Sequence, residues 1–231
     1  MESENLGDML SQTITVVATK LAEGVVGKHM GCTANQLSPE VRLFMESIVD
    51  SATAQLTPDH DTILAEVFIA APPARVFEAI ADPKQRAQWW GMKPSVPPTP
   101  GVMPFRVVDS TSDLRVGGKW TNEGIAGDDY KFHMEGEYLE IDPPRLLVHT
   151  RVAAFVGNFE TVVRWELESR EVHGLHGSGP HRVGTGTLLK VRHSGFAGHL
   201  EQAQSHNTGW RVSLDWLKAY IETGETFETR K

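Results

Sequence analysis

Leu147, His149 and Arg151 stand at alternate positions of the run Leu146–Val152, and alternate side chains of a strand share a face. An arginine beside a leucine on a core-facing phase is chemically demanding. Its guanidinium stays charged, so burial requires an anion, either a carboxylate of the protein or one on a bound molecule. On the opposite phase the same residue is a solvated arginine near a strand end. His149, His193 and His206 are the candidate catalytic residues, since imidazole moves a proton near neutral pH. Each also fits a core histidine bonded to a backbone carbonyl, and sequence spacing does not show that the three converge.

Other reactive patterns are weaker. His173, His176 and His181 have an H-x2-H-x4-H spacing that would suit Zn²⁺ if the chain folded onto it. They lie in a Gly- and His-rich stretch, 171–186, with no paired cysteine. The expectation there is a mobile, solvated insert, with no metal and no cofactor. Ser194-Gly195 and Ser213 lack the strand–elbow–helix setting of G-x-S-x-G, so a hydrolase nucleophile is not expected. Gly117-Gly118 precedes a strand and reads as a hairpin turn, not a phosphate cradle.

The elements that must position these groups follow from periodicity. Thr62–Ala70 alternates with Ile63, Ala65, Val67 and Ile69 on one side, as a half-buried strand does. Pro72-Pro73 opens a short helix, Ala74–Ala81, and Asp82-Pro83 stops it and opens another that ends in Trp89-Trp90-Gly91. Five prolines between Pro94 and Pro104 make a surface loop. Strand-like runs then recur about every ten residues: Phe105–Asp109, Gly118–Asn122, Tyr130–Ile141, Leu146–Val152, Thr161–Glu168 and Thr187–Ser194. A long helix follows at about Gln202–Thr223, with His206, Trp210, Ser213, Leu217 and Ile221 on one face and Arg211, Asp215 and Lys218 off it. The expected fold is α+β. A curved antiparallel sheet of six or seven strands grips the C-terminal helix, and one helix cannot fill such a trough, so a cavity is expected between them.

Residues 1–58 differ in texture and are expected to form an N-terminal helical extension to a domain at 59–231. Leu37, Val41, Phe44, Met45, Ile48, Val49 and Ala52 recur at helical spacing behind Ser38-Pro39. Leu6–Leu21 reads as helical in spite of a β-branched run. These stripes would pack on the main domain, cover its site, or make a homodimer contact.

Composition narrows the partners. The 231 residues carry 22 Lys+Arg against 30 Asp+Glu, a formal charge of −8, which argues against nucleic acid as a partner. No apolar run approaches the roughly 20 residues that span a bilayer. The acidic opening Met-Glu-Ser-Glu and the single cysteine, Cys32, fit a cytoplasmic protein without structural disulfides.

Several motifs carry a resemblance. Ala71-Pro72-Pro73-Ala74-Arg75-Val76-Phe77, Asp82-Pro83 with Trp89-Trp90-Gly91, and Asp113-Leu114-Arg115-Val116-Gly117-Gly118-Lys119-Trp120 come first. Gly136-Glu137-Tyr138-Leu139-Glu140-Ile141-Asp142-Pro143-Pro144, Gly186-Thr187 with His193-Ser194-Gly195-Phe196, and His206-Asn207-Thr208-Gly209-Trp210 follow in order. Together, over about Thr62–Thr223, they resemble the START-like superfamily, and more narrowly the bacterial homologues of the C-terminal domain of the activator of the 90-kDa heat-shock protein ATPase. Residues 1–58 and the insert at 171–185 depart from that pattern. The resemblance implies a helix-grip fold with a pocket for a small, largely apolar ligand. Function does not follow from fold, because the superfamily hosts carriers, sensors, cyclases and chaperone partners.

Strand phase then nominates the ligand-binding residues: Trp120, Phe132, Met134, Leu147, His149, Arg151, Trp165 and His193 from the sheet. His206 and Trp210 look down from the helix, and Trp90 stands at the rim. Aromatic walls with a few placed polar groups describe a small-molecule site, although the same aromatics would also fill a solid core. The leading expectation is non-covalent binding of a small hydrophobic or aromatic molecule whose polar end meets Arg151 and His149. A cyclase- or hydrolase-like enzyme using the cavity histidines is the alternative. A chaperone-ATPase partner, implied by the resemblance alone, ranks third.

Overall fold

A computed structural model of the chain describes residues 51–92, 104–127, 129–153, 158–175 and 180–230, with backbone alone at 92, 172–175 and 180–184. The described residues belong to a unit spanning Ala52–Lys231, except Ser51. The helices expected before residue 51, and with them the homodimer contact, lie outside the described residues. So does most of the proline-rich loop.

The fold is α+β. A curved antiparallel sheet is built from β1 (Thr53–Leu56), β2 (Thr62–Ile69), β3 (Gly91–Met92), β4 (Phe105–Ser112), β5 (Lys119–Ala126), β6 (Tyr130–Asp142), β7 (Leu146–Ala153), β8 (Glu160–Leu175) and β9 (Pro180–Ser194). Their order is β1-β2-β9-β8-β7-β6-β5-β4-β3. The strands from β3 to β9 form a meander of neighbours, and β2 closes onto β9, pairing Ile63 with His193 and Val67 with Leu189. Among the described residues, nine strands stand where six or seven were expected. The difference lies in two short edges, β1 and β3, of which β1 falls within the stretch expected to be helical extension. Thr53–Leu56 alternates exposed and half-buried positions and pairs along β2. Four residues give too short a run for the alternation to be read without a partner strand.

The helices among the described residues are α1 (Pro73–Ala81), α2 (Pro83–Trp89) and α3 (Leu200–Thr223). Proline opens both short helices where its missing N–H is not needed. The Asp82 carboxylate accepts from the Lys84 amide at 2.8 Å, capping α2. Val76, Phe77 and Ile80 of α1 and Trp89 of α2 are buried in the main core. At the far end of α3, Gly224 adopts a left-handed conformation (φ 74°) that ends the helix.

The packing of α3 corrects one expectation. Leu217 is buried as foreseen, but Lys218, placed off the buried face, is also buried. Its ammonium lies 6.0 Å from the Phe68 ring centroid and donates to the Phe68 carbonyl and the Glu222 carboxylate, each at 2.9 Å. A lysine reaches a polar anchor this way while covering apolar surface. The Asp215 carboxylate likewise accepts from the Ala52 amide at 2.7 Å, so charged side chains tie α3 to the first strands.

The stretch at 171–186 is corrected as well. β8 and β9 pair continuously from Val162 with Ser194 out to Leu175 with Pro180, interrupted by one register shift at Val172/His173. Residues 171–175 and 180–186 are strand, beyond the expected strand ends at Glu168 and Thr187. Glycine and histidine are poor strand signals, but backbone pairing with the adjacent arm supplies the order that their side chains do not advertise.

Candidate functional site

A cavity of about 1060 Å³ lies between the sheet, α2 and α3. Its wall is aromatic because strand alternation and the two helices aim their largest side chains inward. Trp120 on β5, Phe132 and Met134 on β6 and Trp165 on β8 come from the sheet. Trp89 and Trp90 come from the end of α2, and Trp210 from α3. Trp90 stacks on Trp89 with centroids 6.2 Å apart and meets the edge of Phe105. Trp165 and Trp210 meet edge to face at 5.1 Å.

Four of these indoles have their polar atom engaged by the protein. Trp89 Nε1 donates to the Ala79 carbonyl at 2.9 Å, and Trp120 Nε1 to the Thr150 carbonyl at 3.2 Å. Trp165 Nε1 donates to His149 Nε2 at 3.2 Å, and Trp210 Nε1 to His193 Nδ1 at 2.9 Å. A buried indole N–H seeks a partner, and each of these finds it in the protein itself. The cavity is thereby presented with carbon surfaces held in fixed orientations.

Two of the three candidate histidines, His149 and His193, are acceptors for these indoles, and His206 accepts from Arg151. His149 Nδ1 donates to the Thr150 carbonyl (2.9 Å) while Nε2 accepts from Trp165. His206 Nδ1 donates to the Gln202 carbonyl (2.8 Å) while Nε2 accepts from Arg151 Nη1. His193 lies in a directed chain: Trp210 N–H donates to its Nδ1, its Nε2–H donates to the Thr161 hydroxyl at 2.8 Å, and Thr161 donates to the Arg151 carbonyl at 3.1 Å. An indole at one end can only donate and a carbonyl at the other can only accept, so the tautomer is fixed. Burial is the main cause that pushes His149 and His206 down to about 3 and His193 well below its ordinary value. All three are neutral at physiological pH with the lone pair already used. Each lone pair is engaged by a donor of the protein: Trp165 at His149, Trp210 at His193 and Arg151 at His206.

Arg151 does lie on the core-facing phase and is buried. It takes no protein carboxylate: its described partners are His206 Nε2 and Met134 Sδ, the latter at 3.2 Å. Burial lowers it to about 10, so it remains a cation at neutral pH. Arg86 on α2, absent from the residues nominated by strand phase, also lines the cavity and is also buried. Its Nε and Nη2 donate to the Ile80 carbonyl at 3.2 and 2.9 Å, and its guanidinium lies over the Trp120 ring at 5.6 Å. Spacing could have found it, since Arg86, Trp89 and Trp90 stand at i, i+3 and i+4 on a helix.

Of the nominated residues, Trp90, Trp120, Phe132, Met134, His149, Arg151, Trp165, His206 and Trp210 line the cavity. Leu147 and His193 do not; both are fully buried behind it. Their phase is right but their depth is not, because alternation fixes a face and not which rungs the helix leaves uncovered. Tyr130, Glu201 and Ser205 also line the space yet are exposed, which places them at its mouth. The side chains of His173, His176 and His181 lie outside the described residues. Among the described residues no helix is long and apolar enough to cross a membrane.

Comparisons with known proteins agree with this architecture. Residues 70–175 match the family model described as Activator of Hsp90 ATPase homolog 1-like protein. No curated protein matches the chain. Among solved structures, a protein from Chromobacterium violaceum is 24% identical, with 70% of this chain and 98% of that chain covered and a TM-score of 0.51. One from Mycobacterium smegmatis is 20% identical over 74% and 96%, with a TM-score of 0.52. One from Arthrobacter aurescens is 16% identical over 73% and 90%, with a TM-score of 0.55. At these identities the likeness is one of fold. Residues 70–175 thus carry a segment similar to the Activator of Hsp90 ATPase homolog 1-like family, within a helix-grip fold.

Proposed function

We propose that this protein binds a small apolar or aromatic molecule in the cavity between sheet and α3, non-covalently, with a polar end of the ligand at Arg151. The observation that carries the reading is the tethering of the wall. Four indoles spend their N–H groups on the protein itself, so the space is shaped for hydrocarbon. An apolar pocket with few convergent polar groups is the usual form of a small-molecule site.

Gly209 supplies the test. It sits on α3 and lines the cavity, and a Cβ built there meets nothing within 4 Å. Gly209→Phe therefore projects a ring into the space without backbone strain and replaces a poor helix former. The fluorescent N-phenylnaphthylamine, which is uncharged, should bind the native protein and brighten. Gly209→Phe should melt at or above the native temperature yet lose that binding at least tenfold, a difference of about 1.4 kcal/mol. Native protein that leaves the probe dark, or a Gly209→Phe variant that binds it as well as native, would refute the proposal.

A further inference from the structure

Resting on that reading of the cavity, we infer that the ligand's polar end is an anion clasped by two guanidiniums, Arg151 from the sheet and Arg86 from α2, and that Arg86 is a specificity-determining residue.

The geometry brings the two together. Arg86 lies over the Trp120 ring at 5.6 Å, and that ring meets His149 edge-on at 5.0 Å. Arg151 is two residues beyond His149 on β7, on the same face and lining the same cavity. Both arginines are buried, 8% and 9% exposed, and among the described residues neither pairs with a carboxylate. The groups facing them are all neutral: the Ile80 carbonyl at Arg86, and His206 Nε2 and Met134 Sδ at Arg151. Glu201 is the carboxylate on the described lining, and it is exposed at the mouth.

Two unneutralised cations in a low-dielectric space repel one another and lose hydration, so each raises the free energy of the empty protein. A carboxylate, sulfonate or phenolate between them would relieve both terms at once. Each fork also keeps N–H groups for it. Arg86 directs Nε and Nη2 at one carbonyl, leaving Nη1 without a partner among the described residues. Arg151 uses one N–H of each terminal nitrogen. Guanidinium N–H groups suit a planar oxyanion better than any neutral acceptor. The ligand class is thus an aromatic or fused-ring acid whose rings lie on the indoles.

The matched probes are N-phenylnaphthylamine and its anilinonaphthalene sulfonate counterpart, which differ by one anionic group. Native protein should bind the sulfonate at least tenfold more tightly than the uncharged parent. Arg86→Gln, which keeps a donor for the Ile80 carbonyl, should cut sulfonate affinity about tenfold and leave the parent within twofold, which also shows that the variant is folded. Should that variant not fold, Arg86→Lys keeps the charge and loses the fork, and a drop of at least threefold for the sulfonate alone is expected. Equal native affinities for the two probes would overturn the anionic class while leaving the cavity reading intact. An Arg86 variant that folds and keeps native sulfonate affinity would overturn Arg86 as an anchor. Failure of both probes on native protein would instead sink the underlying proposal.

Discussion

Thr161 is the joint on which the polar wiring of the core turns. Its hydroxyl takes the His193 Nε2–H and passes its own proton to the Arg151 carbonyl, all in buried surroundings. Thr161→Val keeps the shape and deletes the oxygen, leaving one donor and one acceptor buried without partners. Each orphaned group costs about 1–3 kcal/mol, so urea unfolding should show a lower midpoint at unchanged slope; an unchanged midpoint would show the chain to be dispensable. This wiring explains what sequence could and could not reveal at the residue scale. Alternation put His149, Arg151, Trp165 and His193 on the inward face, and all four point there. It could not say that His149 and His193 serve Trp165 and Trp210, because the partner of a ring nitrogen depends on strand register and on the pitch of α3. Arg86 lies outside what strand phase can nominate, because it sits on a short helix and its partner ring, Trp120, is far away along the chain.

At the scale of elements, the approach of β6 to β7 depends on a missing side chain. A Cβ built on Gly136 would lie 1.9 Å from the Thr150 carbonyl oxygen and 2.6 Å from Trp120 Nε1, the two atoms that form the hydrogen bond holding that indole. Gly136→Ala must push the strands apart or swing Trp120 out of the wall. A loss of about 3 kcal/mol is expected, at the upper end for single substitutions, with a change in near-ultraviolet circular dichroism from the displaced indole. The long elements were legible before their contacts were known: β2, α1, α2, β7 and α3 begin and end close to where proline, aspartate and glycine place them. The short edges β1 and β3 were not, since two or four residues become strand only by pairing. The outer arms of β8 and β9 were hidden for the related reason that their ladder is a property of two segments and neither composition announces it.

The molecule as a whole should be acid-sensitive. His149, His193 and His206 are held neutral in the fold, chiefly by burial, while in the unfolded chain they titrate near 6.5. Below that value the unfolded state binds more protons, so stability falls as pH falls, over a window reaching down to about 3 for His149 and His206. Linkage gives a slope of about 1.4 kcal/mol per pH unit for each imidazole once the unfolded form is charged, or about 4 for the three together. Urea unfolding at pH 7, 6 and 5 should therefore show a steep decline, and a flat profile would contradict neutral burial. One feature of the architecture bears on how the chain can be altered. Beyond the rungs shared with β2 and β7, β8 and β9 pair only with each other among the described residues. The cavity-lining Val163 and Trp165 sit on rungs shared with β7, so whole rungs could be added or trimmed in the outer ladder, from Ser169 with Thr187 outward, while the receptacle keeps its form.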